Sequence, residues 1–455
     1  MQEKMSFSNY IAVGAMLFAL FFGAGNLIFP AQLGQQAGDQ LWPAVIGFLI
    51  TGVGLPFLGV VAIGYSGSNH LQELASRVHP LYGVLFTSLL YLTIGPFFGT
   101  PRTGTVAYEI GITPFVGHDA GWLPLFLFTL PFFSLALWLS LNPAKIVDRV
   151  GKILAPGIVV ILIALISMTF YKPMGAIQPA VPAYADHAFT KGIMEGYNTM
   201  DAIAALVFAI IVINALKGLG VKSVKGITNA TFVSGIIASL FLTGLYFGSA
   251  YIGATSVEPF GMFETGGPVL SNAATHYFGA FGTYLMSVVI ILACLTTAIG
   301  LISANGEYFH SLFPKVSYKV FVWMITVFTF IVANFGLSNI ITFSIPMLMF
   351  LYPLAISLLL LTFTSKLFHH AQMVYVAATT MALIFGIIDG LKALGGSLGT
   401  EFGFLTPIDE FLMANLPLYA DGLGWLLPVI VVLVVTGLFA RLAGPASEEQ
   451  LSHRQ

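Results

Sequence analysis

The chain has 455 residues, 57% of them hydrophobic and 8% charged, with a net charge of −2 and a mean hydropathy of +0.92. A soluble domain carries roughly 25% charged residues, so most of this chain is built for lipid, and its near-neutral balance argues against a nucleic-acid partner. A single cysteine, Cys294, excludes an internal disulfide or a cysteine metal cluster and reads as a small buried apolar residue.

Apolar runs of the roughly 17–25 residues that cross a bilayer lie between polar breaks along the whole chain. They occur near Phe7–Leu33, Trp42–Tyr65, Leu81–Phe98, Trp122–Leu141, Gly151–Tyr171 and Thr199–Leu216, then Thr228–Gly253, Phe278–Ile302, Val320–Asn334, Ile340–Thr364, Val374–Gly390 and Leu423–Ala443. The expected fold class is an all-α polytopic membrane protein with 12 transmembrane helices. The first run outlasts a signal-peptide core and lacks a small-residue cleavage site, so it is expected to be a span. The stretch from Leu391 to Asp421 is expected to be a re-entrant or surface helix. With the N-terminus inside, the outer segments hold only Arg102, Lys172, Lys191 and Lys392, and the inner ones hold the other 13 of the 17 basic residues. A missed span would reverse this asymmetry, which predicts cytoplasmic N- and C-termini.

The first span is interrupted where it should be continuous. Phe21-Phe22-Gly23-Ala24-Gly25-Asn26-Leu27-Ile28-Phe29-Pro30 places glycines, an amide and a proline in mid-run, the wrong residues for an unbroken helix. Backbone released from a helix inside a bilayer must be satisfied by protein, water or solute, and discontinuous helices mark many secondary transporters. A kinked, tightly packed structural helix is the alternative. The sixth run opens on Glu195-Gly196-Tyr197-Asn198-Thr199-Met200-Asp201-Ala202. Asn198 or Thr199 could be a plain N-cap with Asp201 in the first turn. Yet the segment lies five spans after the first break, where an inverted five-plus-five repeat places its second.

The eighth run carries Thr296 and Thr297 after Ala293-Cys294-Leu295. Membrane threonines often bond back to their own helix. Two such hydroxyls with freed carbonyls would also make an all-oxygen cage for a hard cation. Other features read as structural. Gly95–Gly99 and Gly244–Gly248 allow close helix packing, and Pro346 and Pro353 are expected to kink the tenth span. His70, His79, His369 and His370 show no metal spacing. Arg102 either closes an outer gate against an acid or snorkels to the interface. Gly395-Gly396-Ser397-Leu398-Gly399 matches a nucleophile-elbow string but lacks its strand-to-helix context, and no cluster of His, Asp or Glu suggests an enzyme.

FFGAGNLIFP, GYNTMDAIAAL, TPRT and LTTAIGL together resemble the bacterial branched-chain amino acid:cation symporters (branched-chain amino acid transport system II carriers), over essentially the whole chain. The resemblance implies a LeuT-like fold with helices 1 and 6 discontinuous. Its first inverted repeat would be residues 1–170, its second 171–364, and two additional helices with a cytoplasmic tail 365–455. It further implies import of leucine, isoleucine and valine with Na⁺, or H⁺ in some members, across a bacterial inner membrane. The implied Na⁺ ligands are the carbonyls of Ala19, Phe22 and Ala293 and the hydroxyls of Thr296 and Thr297.

The residues themselves accommodate such a substrate. N–H groups around Gly23, Ala24 and Gly25 form a positive half-helix end for a carboxylate, and Asn26 beside them is an expected substrate-binding residue. Oxygens of Asn198, Thr199 and Asp201 can receive an ammonium, and Phe21, Phe22, Ala202 and Phe208 can wall the side chain. The lipid bilayer is the expected surrounding, with no obligate protein partner. The rival readings are a same-fold symporter for another neutral amino acid and a cation channel, which would require repeated filter loops.

Overall fold

The computed structural model describes residues 5–117, 121–141 and 147–442. Lys4, Lys145 and Arg454, three of the basic residues assigned to the inner side, lie outside the described residues. Among the described residues there is no strand. In chain order the helices used below are α1 (Phe7–Phe21), α2 (Ala24–Ala37), α3 (Leu41–Leu49), α4 (Leu55–Ser66), α5 (Pro80–Leu92) and α6 (Gly99–Gly111). They continue with α7 (Trp122–Ser140), α8 (Val147–Tyr171), α9 (Ala188–Asn198), α10 (Asp201–Gly218), α11 (Val224–Phe260) and α12 (Gly267–Leu312). The last are α13 (Tyr318–Ala333), α14 (Leu337–Thr364), α15 (Gln372–Leu398), α16 (Thr406–Asn415) and α17 (Leu426–Leu442). Among the described residues eight helical stretches are long and apolar enough to cross a bilayer, and shorter apolar helices at Phe7–Phe21, Val159–Tyr171, Tyr318–Ala333 and Leu426–Leu442 accompany them.

Both expected interruptions are present. α1 stops because Phe22 donates its N–H to the Phe18 carbonyl while Gly23 turns extended (φ −124°, ψ −167°). The Gly23 N–H is then met by the Asn26 side-chain oxygen at 2.9 Å, so the amide in the motif staples the break it helps create. The second interruption is Thr199-Met200, between α9 and α10. Met200 is buried with φ +65°, a left-handed conformation that costs a side-chain-bearing residue about 1–2 kcal/mol. The Thr199 hydroxyl donates to the Gly196 carbonyl (2.9 Å) and receives the Asp201 N–H (3.3 Å), satisfying groups the break would orphan.

Each broken helix lies along an intact helical run from the other half of the chain. α1 and α2 pack on α11, and α9 and α10 pack on α3 and α4. Glycines set two of these approaches reciprocally. A methyl at Gly34 would overlap the Ala250 carbonyl, and one at Gly253 would overlap the Ala31 carbonyl. The same geometry joins Gly47 to Phe189 and Gly192 to Ala44. Backbones this close gain van der Waals contact, which drives helix association where lipid removes the hydrophobic incentive.

Several boundaries move. The third run does not end at Phe98: it kinks at Gly95 (ψ −121°) within a π-helical turn, Thr93–Phe97, and continues as α6. Arg102 is therefore not in an outer loop but buried inside the bundle, 2% exposed. The sixth run begins earlier than expected, at α9. Pro346 and Pro353 sit within a continuous α14. Ser397 lies in the last turns of α15, not on a strand-to-helix elbow. In the Leu391–Asp421 stretch, α16 buries none of its residues and lies on the surface, tied to α15 by Lys392–Asp409 at 2.5 Å. Cys294 is buried, and among the described residues no group of His, Cys, Asp or Glu is arranged to hold a metal ion.

Candidate functional site

The two breaks open onto one cavity of about 60 Å³. Its wall includes Phe21, Gly23, Ala24, Gly25 and Asn26 from the first break and Thr199, Met200 and Asp201 from the second. Phe208 of α10, Arg102 of α6 and Thr297 of α12 complete three further sides. Asn26 and Asp201, 175 positions apart in sequence, thus meet because the chain leaves helical geometry at both breaks.

A hydrogen-bonded triad ties the two breaks together. The Asp201 carboxylate accepts from the Asn26 amide at 2.6 Å and from the Tyr246 hydroxyl at 2.7 Å, and Asn26 also contacts that hydroxyl. All three side chains are buried. The helix-cap alternative for Asp201 is not what its carboxylate does: it turns away from its own helix start, whose N–H is taken by Thr199. The carboxylate's hydrogen-bond partners are all neutral and no cation touches it among the described residues, which leaves it able to receive a cationic group.

α2 begins at the cavity, so the Ala24 and Gly25 N–H groups are among its orphan donors. A methyl at Gly25 would sit 3.1 Å from the Thr199 carbonyl oxygen and 3.5 Å from Arg102 Nη1. The first contact is closer than an ordinary Cβ contact, so a side chain here would press on the second break. Arg102 donates to the Asn198 carbonyl at the end of α9 (2.7 Å) and to Ser344 (3.3 Å), and its guanidinium stacks 4.9 Å over Phe29. Among the described residues it pairs with no acid, so the outer-gate ion pair expected as one option is not formed there.

Thr296 and Thr297 both donate to the Ala293 carbonyl, at 2.8 and 3.1 Å. That is the back-bonded arrangement, but each hydroxyl oxygen keeps its lone pairs. Opposite them, Gly23 gives its N–H to Asn26, so the Ala19 carbonyl loses its regular helical partner, and Phe22 lies past the helix end. The Thr297 methyl is 3.5 Å from the place of a Gly23 Cβ. Hydroxyl and carbonyl oxygens are the donor type that hard cations take.

Not every expected wall residue reaches the cavity. Phe22 stacks on Phe18 at 5.2 Å. The Ala202 carbonyl faces Gly59 of α4, and Ala204 lines the cavity instead. Asn198 contributes its carbonyl to Arg102 and its amide to Glu195 (2.9 Å). Sequence reading missed Tyr246, whose signal was a phenol inside the apolar Gly244–Gly248 run, and took Arg102 for a peripheral cation. A larger cavity, about 240 Å³, lies beyond α6, lined by Tyr108, Glu109, Phe263 and Thr265. Thr265 donates to Glu109 there at 2.5 Å, but neither helix break opens onto it.

Comparison with known proteins agrees with this geometry. Residues 6–443 match the family model described as branched-chain amino acid transport protein. The chain is 45% identical over 448 residues to the branched-chain amino acid permease BraB of Bacillus subtilis (strain 168), covering 98% of this chain and 99% of that one. It is 46% identical over 430 residues to BrnQ of the same organism, covering 94% and 96%. Among solved structures it resembles MhsT in complex with L-phenylalanine, with TM-score 0.54, 15% identity, and coverage of 87% of this chain and 100% of that one. That likeness supports the fold alone, a LeuT-like arrangement. Whole-length matches to permeases and two broken helices sharing one cavity identify a transporter rather than an enzyme, and the chain belongs to the branched-chain amino acid transport protein family.

Proposed function

We propose that the protein imports leucine, isoleucine and valine by Na⁺ symport through alternating access, with the cavity between the two helix breaks as its substrate site. The observation that carries this reading is the meeting of both breaks, the Asp201 triad and Thr297 around one cavity. The start of α2 offers partial positive charge and unpaired N–H groups to a carboxylate. Asp201 and the Thr199 carbonyl offer oxygens to an ammonium. Phe21, Phe208 and Ala204 leave an apolar end for a branched side chain. Na⁺, as co-transported ion, would be held by the carbonyls of Ala19, Phe22 and Ala293 and the hydroxyls of Thr296 and Thr297.

The crosswise packing of α1–α2 on α11 and of α9–α10 on α3–α4 supports two inverted repeats, residues 1–170 and 171–364, followed by helices in 365–455. Twelve spans with both termini cytoplasmic in a bacterial inner membrane complete the reading. A second reading, H⁺ coupling, is favoured by Asp201 itself: a buried carboxylate with only neutral hydrogen-bond partners can carry the proton. The test is equilibrium binding of all three amino acids to purified protein, with and without Na⁺. Na⁺-dependent binding of each is expected, and failure to bind any of them would overturn the proposal.

A further inference from the structure

Arg102 is an unusual occupant of this site. A guanidinium inside a membrane bundle is costly, and one buried to this degree is normally paired with an acid. Among the described residues Lys392 pairs with Asp409 and His187 lies 3.0 Å from Asp421, whereas Arg102 lies within ion-pair distance of no acid. Its partners are a carbonyl, a hydroxyl and the Phe29 ring, and its Nε is buried without a partner. It also stands beside the start of α2, with Nη1 3.5 Å from where a Gly25 Cβ would be. A positive helix end and a full positive charge are therefore juxtaposed at the cavity wall, a combination stabilised by an anion between them. Asp201 lines the same cavity without touching Arg102.

From this juxtaposition we infer that Arg102 is the carboxylate anchor of the substrate site, set against Asp201 as the ammonium anchor. An α-amino acid zwitterion would bridge the two opposite charges and compensate both. Selectivity then follows: a ligand with an amine but no carboxylate leaves Arg102 uncompensated. The inference rests on the substrate reading above but concerns a residue that reading does not use.

The experiment measures binding of L-leucine and L-leucinol, which replaces the carboxylate by a hydroxymethyl group, to the purified full-length protein and to Arg102→Gln. Wild type should prefer leucine by about 10- to 100-fold, the usual worth of a hydrogen bond between charged groups. Arg102→Gln should bind leucine as weakly as leucinol, with leucinol affinity changed less than about threefold. Equal loss of both ligands would mean that Arg102 only pins the end of α9, and an unchanged preference for leucine would also overturn the inference. Should Arg102→Gln not fold, wild type labelled with ¹⁵N-arginine decides: the buried Nε–H resonance should shift with saturating leucine and not with leucinol. No shift with leucine overturns the inference. Wild type that binds no leucine defeats the substrate reading itself, whereas wild type that binds leucine and leucinol equally defeats only the role of Arg102.

Discussion

Asp201→Asn separates a functional carboxylate from a structural one. The Asp201 oxygen accepts bonds at 2.6 and 2.7 Å from Asn26 and Tyr246. Asparagine keeps one acceptor oxygen and the shape, converting two charge-assisted bonds to neutral ones. At about 1.5–3 kcal/mol for the former and 0.5–1.5 for the latter, the loss is about 1 kcal/mol each. Removing the buried charge offsets part of it, so stability should fall by less than about 2 kcal/mol. The substrate ammonium loses a charged partner outright, worth about 1.5–3 kcal/mol, and leucine should bind about 10- to 150-fold more weakly. Equilibrium binding alongside thermal unfolding of the same preparation measures both. If Asp201 served only as a helix cap, asparagine would be nearly equivalent. Leucine affinity within about twofold of wild type, with normal concentrative uptake, would refute the reasoning.

Thr297→Val preserves the methyl packing on Gly23 but removes one oxygen; Na⁺ affinity should weaken by about 1–3 kcal/mol, read as a higher Na⁺ concentration for half-maximal uptake, and unchanged Na⁺ dependence in both it and Thr296→Val would exclude these ligands. Gly25→Leu drives a side chain into the Thr199 carbonyl and Arg102 and should abolish binding of leucine, isoleucine and valine alike while the protein still inserts, checked by binding on purified protein. Ala204→Phe, on the cavity wall, should penalise leucine and isoleucine more than valine, by about 1–3 kcal/mol per misfitted methylene. Ala202→Phe, at a buried position that does not line the cavity, should lower the unfolding temperature without shifting that selectivity.

The first helix break was legible because Gly23, Gly25 and Asn26 in an apolar run contradict local helix propensity, although Pro30 sits inside α2; such contradictions gather at functional sites. The fold class followed from composition and run length. What remained hidden was depth. Arg102 stood four residues after an apparent span end at Phe98, and only the π-helical turn at Thr93–Phe97 carries the helix past it. A charge count along the sequence has no means of distinguishing an outer loop from the interior of a continued span. Tyr246 was obscured by a glycine pattern that fits packing equally well. Ala202 and Ala204 are both small residues on one helix, and which of them faces the cavity depends on helix rotation set by the Met200 turn.

The claim that this chain couples branched-chain amino acid uptake to Na⁺ is tested most directly by radiolabelled leucine uptake in proteoliposomes under Na⁺ and H⁺ gradients imposed separately. The account predicts concentrative uptake with an inward Na⁺ gradient alone, abolished when the gradient is collapsed. Uptake driven by the H⁺ gradient and indifferent to Na⁺ would contradict the assignment of Thr296 and Thr297 and move coupling to Asp201.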